Sequence, residues 1–151
     1  MKVTIDTNVL VRAVLNDHPQ QSPKARQLLR EATLIAVPMP CLCELVWVLR
    51  QGAKLARIDI TAAVRSLMNA GNVVFNRPAA ERGLAVLEAG GDFADGVLAY
   101  EGAWLGGQTL NWLEISHEIS FGRYQMLIPN WSTSSDTHHL VMKVSVSQFF
   151  P

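Results

Sequence analysis

Charge is scarce in this chain. Asp, Glu, Lys and Arg make up 17% of the 151 residues, and thirteen acids offset thirteen bases. A zero net charge argues against a nucleic-acid partner, because such proteins often carry a basic excess. Cysteine is nearly absent. Cys41 and Cys43 are too few and too close for a disulfide framework, which points to a reduced, cytoplasmic compartment. No apolar run reaches the roughly 18 residues of a membrane-spanning helix, so no membrane association is expected. Asp6 and Asn8 interrupt the opening where a secretory signal would be apolar. There is no phosphate-cradling glycine loop, since Gly90-Gly91 and Gly106-Gly107 read as helix stops. Cys41-x-Cys43 lacks the second pair of a zinc site, and the adjacent His138 and His139 point different ways. What is present is apolar material, 49% of the chain, which excludes a solvated coil and suits a single domain.

Short β-branched runs alternate with helical periodicities. Lys2–Ile5, Leu34–Val37, Asn72–Phe75 and Gln108–Leu113 read as strands. Helices are expected over Val9–Leu15, over Pro23–Ala32 with Ser22 as cap, and over residues 39–51 with Leu42, Leu45, Val46 and Leu49 as the apolar stripe. Three more follow: one capped by Asp59 and ended by Gly71, one over Pro78–Ala89, and one starting at Asp92. Strands apolar on both faces, alternating with helices, predict an α/β fold: a parallel sheet of about four strands with helices on both sides.

Five carboxylates fall at special places in this scheme. Asp6 follows the first strand, and the carboxyl edge of an open parallel sheet is where ligands bind. Glu44 sits among apolar neighbours, a costly setting unless it is paired or ligated. Asp92 and Asp95 stand one turn apart at a helix start, and Glu114 follows the fourth strand. Converging carboxylates favour a hard cation, Mg²⁺ or Mn²⁺, which activates water and offsets the charge of a phosphodiester under attack. Each also has an ordinary structural role: Asp6 as a turn residue, Glu44 as a hydrogen-bonded glutamate, Asp92 and Asp95 as cap and dipole partner, Glu114 as a solvated acid. Arg50, Lys54 and Arg57, spaced i, i+4, i+7, are candidates for RNA phosphates or for a solvated helix end.

Three segments, VTIDTNVLVRAVLND, CELVWVLR and GGDFADGVLA, resemble the PIN-domain ribonuclease toxins of the VapC type, the toxin halves of bacterial toxin–antitoxin pairs. The resemblance covers residues 1–114. It implies a three-layer α/β/α sandwich, Mg²⁺- or Mn²⁺-dependent endonucleolytic cleavage of RNA, a homodimer, and a cognate antitoxin laid over the acidic pocket. It matches Asp6, Glu44 and Asp95 to the metal ligands and Asp92 to the accessory acid. Glu114 stands where the family's fourth acid is an aspartate, Thr109 preceding it at the family's spacing. Thr7 and Asn8 match the polar neighbours that orient Asp6. With five acids assigned to one pocket, eight remain against thirteen bases, and the rest of the chain is mildly basic.

The resemblance stops where the composition changes. Residues 115–151 contain no alanine against sixteen before them, yet hold seven of nine serines. This divergent tail is expected to be a replacement, by frameshift, fusion or read-through. It can leave a catalytically impaired remnant that still binds antitoxin. Its apolar stretches, Met126–Pro129 and Leu140–Val146, are expected to pack on a sheet edge or against another copy, and Met142–Phe149 is an aggregation risk if exposed.

Overall fold

The computed structural model describes residues 1–107, 111–115 and 119–123. Three short parallel strands form its centre: β1 (Lys2–Thr4), β2 (Leu34–Ala36) and β3 (Val73–Val74), in the order β1-β2-β3. Lys2 pairs with Leu34, Thr4 with Ala36, and Ala36 with Val74. The apolar runs extend past the regular ladder. Ile5 N donates to Ala36 O (3.2 Å) and Val37 N to Val74 O (2.9 Å), and both side chains are buried. These strands are therefore a residue or two shorter than the sequence runs that announce them.

Helices connect and flank the strands. They are α1 (Thr7–Leu15), α2 (Gln21–Glu31), α3 (Met39–Trp47), α4 (Arg57–Asn69), α5 (Arg77–Glu88) and α6 (Phe93–Trp104). The α/β class expected from the alternation holds. Several boundaries move for identifiable reasons. α1 starts at Thr7 because Asp6 is its N-cap, accepting from Val9 N at 3.1 Å. Ser22 is not a cap: it lies wholly buried in the first turn of α2, its Oγ accepting from His18 N. His18 supplies the capping acceptor instead, Nδ1 taking the Gln20 and Gln21 amides at 3.3 and 3.2 Å. α4 starts at Arg57, which leaves Asp59 in the first turn, where it complements the helix dipole. α3 ends at Trp47, and Val48–Gly52 form a π-helical turn that closes with Ala53 N on Val48 O.

The predicted stripe Leu42, Leu45, Val46 and Leu49 is buried, as are Ile60, Val64, Leu67 and Met68 of α4. α5 and α6 pack as a close pair at two glycines. A Cβ on Gly96 would stand 2.5 Å from Arg82 O, and one on Gly83 would stand 2.8 Å from the ring of Phe93. Gly90, at φ +104°, makes the turn that lets α6 follow α5.

The expected fourth strand is corrected. β4 (Asn111–Ile115) does not join the parallel sheet; it pairs antiparallel with β5 (Ile119–Arg123) in a separate two-stranded sheet. Thr109, His138, His139, Met126–Pro129, Leu140–Val146 and Met142–Phe149 lie outside the described residues.

Candidate active site

β1 and β2 are parallel neighbours, so the chain leaves both at the same edge of the sheet. Asp6 and Thr7 follow β1, and α3, carrying Glu44, follows β2. The two meet: Thr7 Oγ1 donates to Glu44 Oε2 at 2.6 Å, the short distance of a hydroxyl bonded to a carboxylate. Thr7 is buried. Its hydroxyl thus orients Glu44, where the sequence reading gave it to Asp6. Glu44 is exposed, so the apolar setting inferred from its neighbours is corrected. Helical rotation accounts for this. Leu42, Leu45 and Val46 turn inward while Glu44 and Trp47, three apart, share the outer face. Glu44, Thr7 and Asn8 line a cleft of about 510 Å³ between α1 and the α3 π-turn, with the Arg12–Asp17 ion pair (2.6 Å) on its wall.

α6 brings the other acids. Asp92 is its N-cap, Oδ1 accepting from Ala94 N at 2.8 Å, and Asp95 stands half-buried in the first turn. α3 packs against α6 as well as α1, and Cys43 is the residue that faces this side. Burial, reinforced by the negative charges of Asp92 and Glu101, pushes the Cys43 thiol up to about 11. Glu101 is an acid that the sequence reading passed over. Its helical neighbours Tyr100, Trp104 and Leu105 form a continuous face, which was the available signal.

Arg50 is tied down. Its Nη1 donates to Gly91 O at 3.4 Å and lies 3.9 Å from Asp92 Oδ2, and Arg57 donates to Gly90 O at 3.4 Å. The two arginines satisfy carbonyls just past the end of α5. Lys54, at φ +55°, follows the π-turn, so Arg50 and Lys54 do not share the helical face that their spacing suggested.

Asp6 thus caps α1, Glu44 on α3 is bonded to Thr7, and Asp92 and Asp95 stand at the start of α6, which packs on α3. The donor types, all carboxylate oxygens, suit a hard divalent cation. Among the described residues, however, no three His, Cys, Asp or Glu side chains stand together as a metal-ligand set. Glu114 lies inside β4, paired with Ser120, and does not follow a fourth parallel strand.

The described residues thus define an α/β protein with a three-stranded parallel sheet, Asp6 and Glu44 on the helices that follow β1 and β2, and Asp92 and Asp95 at the start of α6. The particular family follows from the sequence match: residues 3–100 match the family model of the PIN domain, and the chain belongs to that family. PIN domains are generally nucleases, typically dependent on divalent metal ions. No curated protein matches the chain. No helix among the described residues is long and apolar enough to cross a membrane.

Proposed function

We propose that the chain is an endoribonuclease toxin of the VapC type, dependent on Mg²⁺ or Mn²⁺, dimeric, cytoplasmic and neutralised by a cognate antitoxin. The family match supports the nuclease class, and the Thr7–Glu44 hydrogen bond at the sheet edge is the observation that carries the site. Asp6, Glu44, Asp92 and Asp95 would hold the cation, which when bound supplies a more acidic water and offsets charge on the phosphodiester.

The chain's own residues prepare the reaction. Thr7 fixes one oxygen of Glu44 and leaves Oε1 to accept the proton of an attacking water. Val9 N holds Asp6 Oδ1, and Ala94 N holds Asp92 Oδ1, so each acid is presented at a defined angle. Arg50, held at the Gly91 carbonyl, lies beside Asp92 and offsets its negative charge. Purified protein incubated with total RNA should cleave it with Mg²⁺ or Mn²⁺ and not with EDTA, and Asp6→Asn should abolish cleavage. Metal-independent cleavage, or cleavage undiminished in Asp6→Asn, overturns the reading.

One observation favours a second reading, a catalytically impaired toxin that retains antitoxin binding. The fourth acid of the family would follow a fourth parallel strand, whereas Glu114 sits within an antiparallel pair. Tight binding of an antitoxin by a protein that cleaves no RNA under any metal would select it.

A further inference from the structure

The cleft beside Glu44 also holds a basic group. Thr7, Asn8 and Arg12 line it from α1, and Glu44 and Val48 line it from α3 and its π-turn. Among the described residues Arg12 is the only basic one in that lining. It follows Thr7 by five residues, about 7.5 Å along the helix axis. Two bonds fix its guanidinium. Nη1 donates to Asp17 Oδ2 at 2.6 Å, and Nε donates to Gln21 Oε1 at 3.1 Å. Asp17 belongs to the turn after α1 and Gln21 opens α2, so the head is held from two segments. These bonds use two of the five N–H donors, and neither uses Nη2. The pair is open to solvent, with side-chain exposures of 34% and 30%. An ion pair this open adds little to stability. A guanidinium held in place with donors to spare, in a cleft shared with Glu44, matches the oxygens of a phosphate.

We propose that Arg12 binds the phosphate next to the cleaved one on the RNA strand, with Asp17 and Gln21 as positioning residues that hold its guanidinium at the cleft wall. Glu44 and Asp17 share the lining, and these carboxylates alone would repel the strand. Arg12 offsets that repulsion and gives the strand a fixed point beside Glu44. Asp17 limits the attraction, because its charge opposes the phosphate that Arg12 draws in. The two partners of one ion pair therefore act on RNA with opposite signs. That opposition separates a phosphate contact from a pair that only ties α1 to the turn after it. A phosphate contact carries no sequence information, so this anchor serves RNA of any sequence. The inference rests on the RNA-cleaving reading and adds to it the residue that anchors the strand.

The test measures binding in EDTA, where metal-dependent cleavage is absent, so it is independent of turnover. A fluorescein-labelled uridine oligoribonucleotide is titrated with the intact chain across a series of salt concentrations, and anisotropy is read. The wild-type chain should bind at low salt and weaken as salt rises. Arg12→Gln should lower the affinity at least about five-fold. It should also reduce the slope of log affinity against log salt by about 0.7, the share of one phosphate contact to a single strand. Arg12→Lys keeps the charge and should restore most of that slope. Asp17→Asn breaks the same ion pair and should tighten binding. Circular dichroism confirms that each variant is folded. No saturable binding by the wild-type chain at low salt overturns the proposal. So does a salt slope unchanged in Arg12→Gln, or a loss of affinity in Asp17→Asn equal to that in Arg12→Gln. Binding that depends on Arg12 without cleavage in metal leaves the anchor standing and rejects the nuclease reading; cleavage in metal without that dependence does the reverse.

Discussion

Thr7 shows how one hydroxyl fixes the working position of an acid. It is buried at the start of α1, and its bond to Glu44 crosses from one helix to the next. Thr7→Val removes the donor and nearly keeps the shape. Because Glu44 is exposed and water can replace the lost partner, the stability cost should be small, about 1 kcal/mol by urea unfolding. RNA cleavage should fall much further, at least about ten-fold in kcat, because an unfastened carboxylate samples rotamers that no longer serve the reaction. Equal losses in stability and rate would assign Thr7 a packing role alone. Cys43 gives a prediction of the opposite kind. Its thiol ionises at about 11 in the folded chain against 9.0 ordinarily, chiefly through burial. Between those values the unfolded chain has released the proton and the folded chain has kept it. Stability must therefore fall as pH rises through this window. Cys43→Ala should flatten that decline between pH 9 and 11 in thermal unfolding scans. An identical slope in the variant would show that other groups control it.

At the scale of elements, the α5–α6 pair depends on the absence of side chains at two positions. Gly96→Ala places a methyl 2.5 Å from a backbone carbonyl of α5, which cannot swing aside as a side chain would. The helices must separate, and the expected loss is about 2 kcal/mol in a denaturant titration. A neutral effect would mean that the pair slides without cost. Elements of this kind were readable in the sequence to different degrees. The helix stripes were legible because burial follows the 3.6-residue period: Leu42, Leu45 and Leu49 turned inward as expected. The caps were less so. Asp92 reads correctly as a start signal, whereas Asp6, expected to end the strand as a turn residue, caps α1, and Ser22 and Asp59 carry the same chemistry and do not cap, since His18 takes the capping role in one and the other helix starts two residues earlier. The π-turn after Trp47 was not legible, because no residue type demands a widened turn, and with it went the supposed alignment of Arg50 with Lys54. Glu44 illustrates the limit for a site. Its neighbours in sequence are apolar, but its neighbours in space are set by helical rotation, which turns it outward beside Trp47.

For the whole molecule, three boundaries fall close together. The family match ends at residue 100, the parallel sheet has no strand after β3 among the described residues, and the composition changes near Glu114. We propose that the C-terminus has been replaced, by frameshift, fusion or read-through, which would produce all three. A frameshift predicts that the coding DNA, read in a shifted frame beyond this point, encodes a family-like ending with an aspartate after the fourth strand. If neither alternative frame does so, the frameshift version fails. The central question is whether Asp6, Glu44 and Asp95, placed at three different helices, serve one cation. Manganese binding, followed by electron paramagnetic resonance of free Mn²⁺, answers it without requiring turnover. The account predicts saturable binding to the wild-type chain. Each of Asp6→Asn, Glu44→Gln and Asp95→Asn should weaken it at least about ten-fold, as loss of a ligand should. No binding at all, or affinity unchanged in any of the three variants, would contradict the account.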